Sequence, residues 1–213
     1  MHLKRQEAPN NWPIARKGTA YVVVPRQAPG ESIPLLVIIR DILHLAKTRK
    51  EVEMSLRSGK IKVNGKATRD DRFCARLFDI IDIGDKRYAV GLSKNGKFRV
   101  EETHKARKLT KILMITGKKT LKNNKTQLHF NDGRGIISKD KYKTKDFVLF
   151  DLENSKIIKN IPLKKGQKII VVKGKHSGED GKLDSVENDK AIILINSSKI
   201  NIPLAHISLI EDE

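Results

Sequence analysis

Cysteine is all but absent. Cys74 is the only one in 213 residues, so no internal disulfide can form, and the chain fits a reducing compartment. Aromatic residues are scarce at 5%, with one tryptophan, which argues against a platform of stacked rings for single strands. Long apolar runs are missing as well. The longest candidate, Ile33 to Leu45, is broken by Pro34, Arg40, Asp41 and His44 and falls short of the ~20 residues of a membrane span. The opening Met1-His2-Leu3-Lys4-Arg5 is basic, but no apolar core follows it, so a secretory leader is not expected. Acidic residues are the minority charge. There are 25 against 44 lysines and arginines, a net charge of +19. Such a surface repels itself and is compensated by a polyanion. Nucleic acid is the leading candidate. A membrane surface is disfavoured, since no basic amphipathic helix carries Trp or Phe on its other face.

Catalytic signatures fail one by one. Gly117-Lys-Lys-Thr120 resembles the end of a phosphate-binding loop, but the earlier glycine would fall on Ile112. Gly133-Arg-Gly135 begins like a dinucleotide fingerprint, but its third glycine position holds Ser138. One cysteine and six scattered histidines make no zinc site, and His104, His129 and His176 read as surface or loop residues. Asp70-Asp71 lies in a basic stretch and reads as local ion pairing. Asp79, Asp82 and Asp85 make no convincing metal site. The sequence therefore calls for no cofactor, no metal and no small-molecule substrate.

Folded structure is nevertheless expected, because hydrophobic residues reach 38% and supply small cores of Ile, Leu and Val. Residues 1–31 carry Pro9, Pro13, Pro25 and Pro29 and read as extended, with one short strand over 19–24, or else as an arm that is disordered in the free protein and orders on RNA. Trp12 is read as a pin holding this arm to the protein, with base stacking as its other use. Ser32 and Pro34 signal a helix whose apolar face is Leu35, Ile38, Ile39, Ile42 and Leu43. Thr48-Arg-Lys-Glu51 is a capping box opening a second helix with Val52 and Leu56 inward, and Gly59 stops it. Ile61-Lys-Val63 then alternates into Asn64-Gly65, the strongest short signal for a two-residue hairpin turn.

From about Gly84 the pattern turns to short strands, at 87–91, 98–101, 111–115, 127–131, 135–138 and 146–150, the spacing of a small barrel or sandwich. Lys105, Arg107, Lys108 and Lys111 form one basic cluster there. Lys118, Lys119, Lys122 and Lys125 form another, read as a loop. The last segment, from about Lys164, is again strand-rich, with Gly174, Gly178 and Gly181 punctuating its first loop.

Two stretches are familiar. Residues 42–83, through Arg40, Thr48, Arg49, Glu51, Leu56, Gly59, Ile61, Val63, Asn64 and Gly65, resemble the S-four-type RNA-binding module. Residues 171–183, with Gly174, Gly178 and Gly181, resemble a KOW motif. Together with His2-Leu-Lys-Arg5, Trp12-Pro-Ile14 and Ser32-Ile-Pro-Leu-Leu36, they give a chain that is similar to the S-four-e family of the small ribosomal subunit, in an archaeal-like form. The resemblance covers nearly the whole chain.

The resemblance implies an α+β architecture. An extended basic N-terminal arm (1–36) precedes a helix–helix–hairpin module of S-four type (37–90). A central small β-barrel domain (91–163) and a C-terminal SH3-like KOW barrel (164–213) follow. It further implies a non-enzymatic constituent of the cytoplasmic ribosome, with small-subunit rRNA and neighbouring ribosomal proteins as partners. Charge placement suggests three RNA-facing sets. The first is Arg40, Arg49, Lys50, Arg57, Lys60, Lys62, Lys66 and Arg69. The second is Lys4, Arg5, Arg16 and Lys17, and the third is Lys173, Lys175 and His176. The acidic end, Glu211-Asp-Glu213, argues against RNA contact there. An RNA-modifying enzyme is one rival reading, because the helical module also accompanies pseudouridine synthases, and a free transcription or translation factor is the other, suggested by the KOW unit.

Overall fold

A computed structural model describes residues 2–104, 109–122, 125–140, 142–187, 189–195 and 198–210. The basic cluster's Lys105, Arg107 and Lys108 and the acidic end 211–213 lie outside the described residues. The chain divides into two compact units, Met1–Leu109 and Thr110–Glu213. Both are mostly antiparallel β-structure with little helix. No described helix is long and apolar enough to cross a membrane.

In the first unit, β1 (Leu3–Lys4) pairs with β2 (Tyr21–Val22), and β3 (Ser32–Pro34) leads into α1 (Leu35–Val37). Next come α2 (Arg49–Arg57), β4 (Ile61–Val63), β5 (Lys66–Ala67), β6 (Cys74–Arg76), β7 (Ile80–Ile83), β8 (Lys86–Leu92) and β9 (Phe98–Thr103). Five of the strands form a sheet in the order β5-β4-β7-β8-β9. The expected border at 90/91 falls inside β8, whose partner β9 continues the same sheet. The sheet's apolar face includes Ile61, Val63, Ile81, Tyr88 and Val90, and it packs with α1 and with Val52 and Leu56 of α2.

The arm is not loose in this fold. Trp12 is 2% exposed and belongs to that core, with its Nε1 donating to the Ser32 carbonyl at 2.9 Å. Pinning is therefore its structural role. Three longer ties hold the following chain. Arg72 Nε donates to the Val24 carbonyl at 2.9 Å, Arg76 Nε to Gln27 Oε1 at 3.0 Å, and Arg26 lies 2.8 Å from Asp70.

The first helix differs from expectation. Ser32–Pro34 is a strand paired with β6, and α1 is a single turn running into a π-turn at Ile38–Ile42. Leu35 through Ile39 are all buried, so this segment is a core plug and not an amphipathic helix with one wet face.

The second unit holds β10 (Thr110–Thr120), β11 (Thr126–Phe130), β12 (Gly135–Ser138), β13 (Phe147–Asp151) and β14 (Lys156–Ile161), in sheet order β12-β11-β10-β13-β14. It also holds β15 (Lys168–Val171), β16 (Asp180–Glu187), β17 (Lys190–Ile195), β18 (Ser198–Pro203) and β19 (Ile207–Leu209), ordered β18-β17-β16-β15-β19. Ile112, Met114 and Phe147 of the first sheet share one core with Ile169, Leu183 and Ile193 of the second. The segments on either side of 163/164, expected as separate domains, thus share apolar packing. Lys118 and Lys119, expected in a loop, lie on β10 opposite Leu128 and Gln127.

Candidate nucleic-acid interface

The helix–hairpin of the first unit carries exposed cations that have no ion pair among the described residues. Its second helix starts as the sequence predicts. Thr48 Oγ1 accepts the Glu51 N–H, and the Glu51 carboxylate accepts the Lys47 N–H at 2.8 Å and the Thr48 hydroxyl at 2.9 Å. These bonds favour the ionised form and hold the Glu51 pKa below its ordinary value. Val52 and Leu56 face the core, so Lys50, Met54 and Arg57, at i, i+4 and i+7, share the outer face. Gly59 then takes φ +72 and ends the helix.

The hairpin turn is as tight as Asn-Gly requires, with φ +52 at Asn64 and +78 at Gly65. It is also latched. Asn64 is buried, its Oδ1 accepts the Ile80 N–H at 2.9 Å, and its own N–H donates to the Ile80 carbonyl at 2.8 Å. Ile61 and Val63 point inward, so Lys62 between them points out. Lys60, Lys66 and Arg69 are exposed around it.

Other expected contacts are engaged within the protein. Arg40 makes a two-pronged pair with Asp41 at 2.8 and 2.9 Å, which raises the Arg40 pKa. Arg49 Nε sits 2.9 Å from Glu53 and 2.8 Å from Asp71. Arg5 donates to the Thr19 and Ala15 carbonyls at 2.7 and 2.8 Å and to Thr19 Oγ1 at 2.7 Å. Arg16 bonds to the Ala8 carbonyl at 3.3 Å and to Asn10. Lys4 and Lys17 remain exposed. The structure leaves Lys50, Arg57, Lys60, Lys62, Lys66 and Arg69 exposed on or next to α2 and the β4–β5 hairpin, and gives Arg5, Arg16, Arg40 and Arg49 partners of their own.

In the glycine loop after β15, Gly174 and Gly178 take φ +102 and +88. Lys175 is exposed, Lys173 is half-buried, and His176 Nδ1 lies 3.1 Å from Glu179 Oε2. Gly181 has another reason to be glycine. A Cβ there would stand 2.5 Å from Ile193 Cγ2 and 2.9 Å from the Leu194 carbonyl, so it admits a neighbouring strand and not a ligand. Sequence reasoning missed one ionic feature. Asp184 bridges Lys165 at 2.7 Å and Lys199 at 2.8 Å, and these cations pull its pKa down to about 2. Its only sequence signal was an acid among lysines.

Fold and surface together define a strongly cationic, β-rich protein of more than one unit. Residues 1–29 match the RS4NT (NUC023) domain, and residues 84–157 match Ribosomal family S4e. The small ribosomal subunit protein eS4 of Methanosphaera stadtmanae is 34% identical over 208 residues, covering 95% of this chain and 84% of its own. That of Methanocella arvoryzae is 36% identical over 193 residues, covering 87% and 81%. The crystal structure of the 30S ribosomal protein S4e from Thermoplasma acidophilum aligns with TM-score 0.71 at 27% identity, covering 84% of this chain and 95% of that one. The chain belongs to the S4e family of ribosomal proteins.

Proposed function

We propose that this protein is a structural constituent of the small ribosomal subunit in the cytoplasm, where it binds rRNA through phosphate contacts and touches neighbouring ribosomal proteins. One observation carries the contact assignment. Lys50, Arg57, Lys60, Lys62, Lys66 and Arg69 surround one small helix–hairpin and are exposed, with no ion pair among the described residues. Cations left unpaired beside one another repel, and a phosphate backbone relieves that repulsion while releasing counterions. We read this helix–hairpin as the S-four-type module, and the sheet β15–β19 with its glycine loop as the KOW unit. Lys4, Lys17, Lys173 and Lys175 are secondary contacts in this reading. Arg5, Arg16, Arg40, Arg49 and His176 hold the surfaces that carry them.

Salt dependence tests the assignment. Binding to purified small-subunit rRNA should weaken steeply with added salt. Replacing Lys50, Arg57 and Lys62 together with Ala should reduce the log–log slope by about one per lost contact. An unchanged slope removes these side chains from the interface. Co-sedimentation separates a core constituent, stoichiometric with the particle in moderate salt, from a factor that washes off.

A further inference from the structure

We propose that Tyr21, packed against His2 and set beside Lys4 on the arm's two-stranded ribbon, is a stacking seat for one unpaired nucleobase. The inference rests on the RNA-binding reading above and adds to it a contact with a base, where the helix–hairpin contacts phosphates. Leu3 pairs with Val22 and packs on the core, so the next pair, Lys4 opposite Tyr21, stands on the other face of the ribbon. Tyr21 is 55% exposed. Trp12, the phenylalanines and the other tyrosines are all buried or half-buried, so the exposure of this one ring is unusual for the molecule.

The ring is also held in place. His2 packs on it edge to face, with centroids 4.9 Å apart and planes at 81°. Behind the ribbon, Arg5 N–H donates to the Ala20 carbonyl at 2.9 Å, and its guanidinium clamps the Thr19 carbonyl and hydroxyl, both at 2.7 Å. The Thr19 hydroxyl donates onward to the Tyr21 carbonyl at 3.0 Å. A pre-ordered ring loses little conformational freedom when a base covers it. Lys4, directly across the ribbon, is placed for the phosphate next to that base. An aromatic face with an adjacent cation is the combination that holds a single-stranded nucleotide.

The test uses full-length protein and two RNAs: a blunt duplex, and the same duplex with a short single-stranded extension containing 2-aminopurine. Wild type should bind the extended RNA more tightly and quench the 2-aminopurine fluorescence, which reports stacking. Tyr21→Phe should retain both properties. Tyr21→Ala should lose the quenching and roughly five- to a hundredfold of affinity for the extended RNA, with its affinity for the blunt duplex unchanged. An equal loss on both RNAs, or full quenching by Tyr21→Ala, overturns the stacking seat and leaves the phosphate reading standing. Failure of the wild type to bind either RNA overturns both.

Discussion

Asp184 has its ionisation set by two neighbouring cations. Lys165 and Lys199 hold its pKa near 2, below the ordinary 3.8. A carboxyl depressed on folding contributes stability above its unfolded pKa, and that contribution is lost as pH falls through the folded value. Wild type should therefore lose more stability than Asp184→Asn between about pH 4 and about pH 2. Thermal melts across that window check it, and parallel curves would contradict it. Added salt should narrow the difference, because the two lysines are exposed. Gly181 makes a steric prediction. A methyl there meets Ile193 and the Leu194 backbone, and a backbone atom cannot swing aside. Gly181→Ala should destabilise the second unit by about 1–3 kcal/mol, read from denaturant unfolding.

Among the elements, the N-terminal arm departs furthest from its sequence-level description. Its prolines and scattered cations read as extended chain, and locally it is extended. Trp12 nevertheless makes it part of the first unit's core. Trp12→Ala should cost about 3–5 kcal/mol in the unfolding of that unit and expose the arm to limited proteolysis. Retained protection would show that the Arg26, Arg72 and Arg76 ties suffice without it. The helix–hairpin was legible almost residue by residue. Its signals, a cap, a stop glycine and an Asn-Gly turn, act within four residues of the backbone they shape. The first helix was not legible, because Ser32–Pro34 is committed to strand β6, about forty residues away in sequence. No local propensity records that partner. The same applies to Lys118 and Lys119, which extend β10 because β11 offers it a ladder.

For the whole molecule, the sign and size of the charge, the scarcity of rings and the strand-rich second half were all present in the composition and spacing. They sufficed to point to a polyanion; the family came only from the resemblance carried by residues 42–83 and 171–183 and the N-terminal motifs. The number of compact units was not legible. Ile112, Met114 and Phe147 meet Ile169 and Ile193 in one core, although turn-rich segments separate them in sequence. Equally hidden was the division of the cations. Arg49 and Lys50 are adjacent in sequence and alike in charge, yet one is drawn to Asp71 and Glu53 while the other is left to solvent.

The sequence by itself determined that this protein is basic and strand-rich from about Gly84, that it carries a capped helix and a tight hairpin, and that it matches none of the catalytic patterns weighed. These properties are sums over residues or arise between near neighbours. Only the tertiary structure decided which arginines are spent on carboxylates and carbonyls, that Trp12 is buried while Tyr21 is left out, and where one core ends and the next begins. The reason is distance: an ion pair or a buried face depends on residues far apart in the chain, and folding alone brings them within a few ångströms.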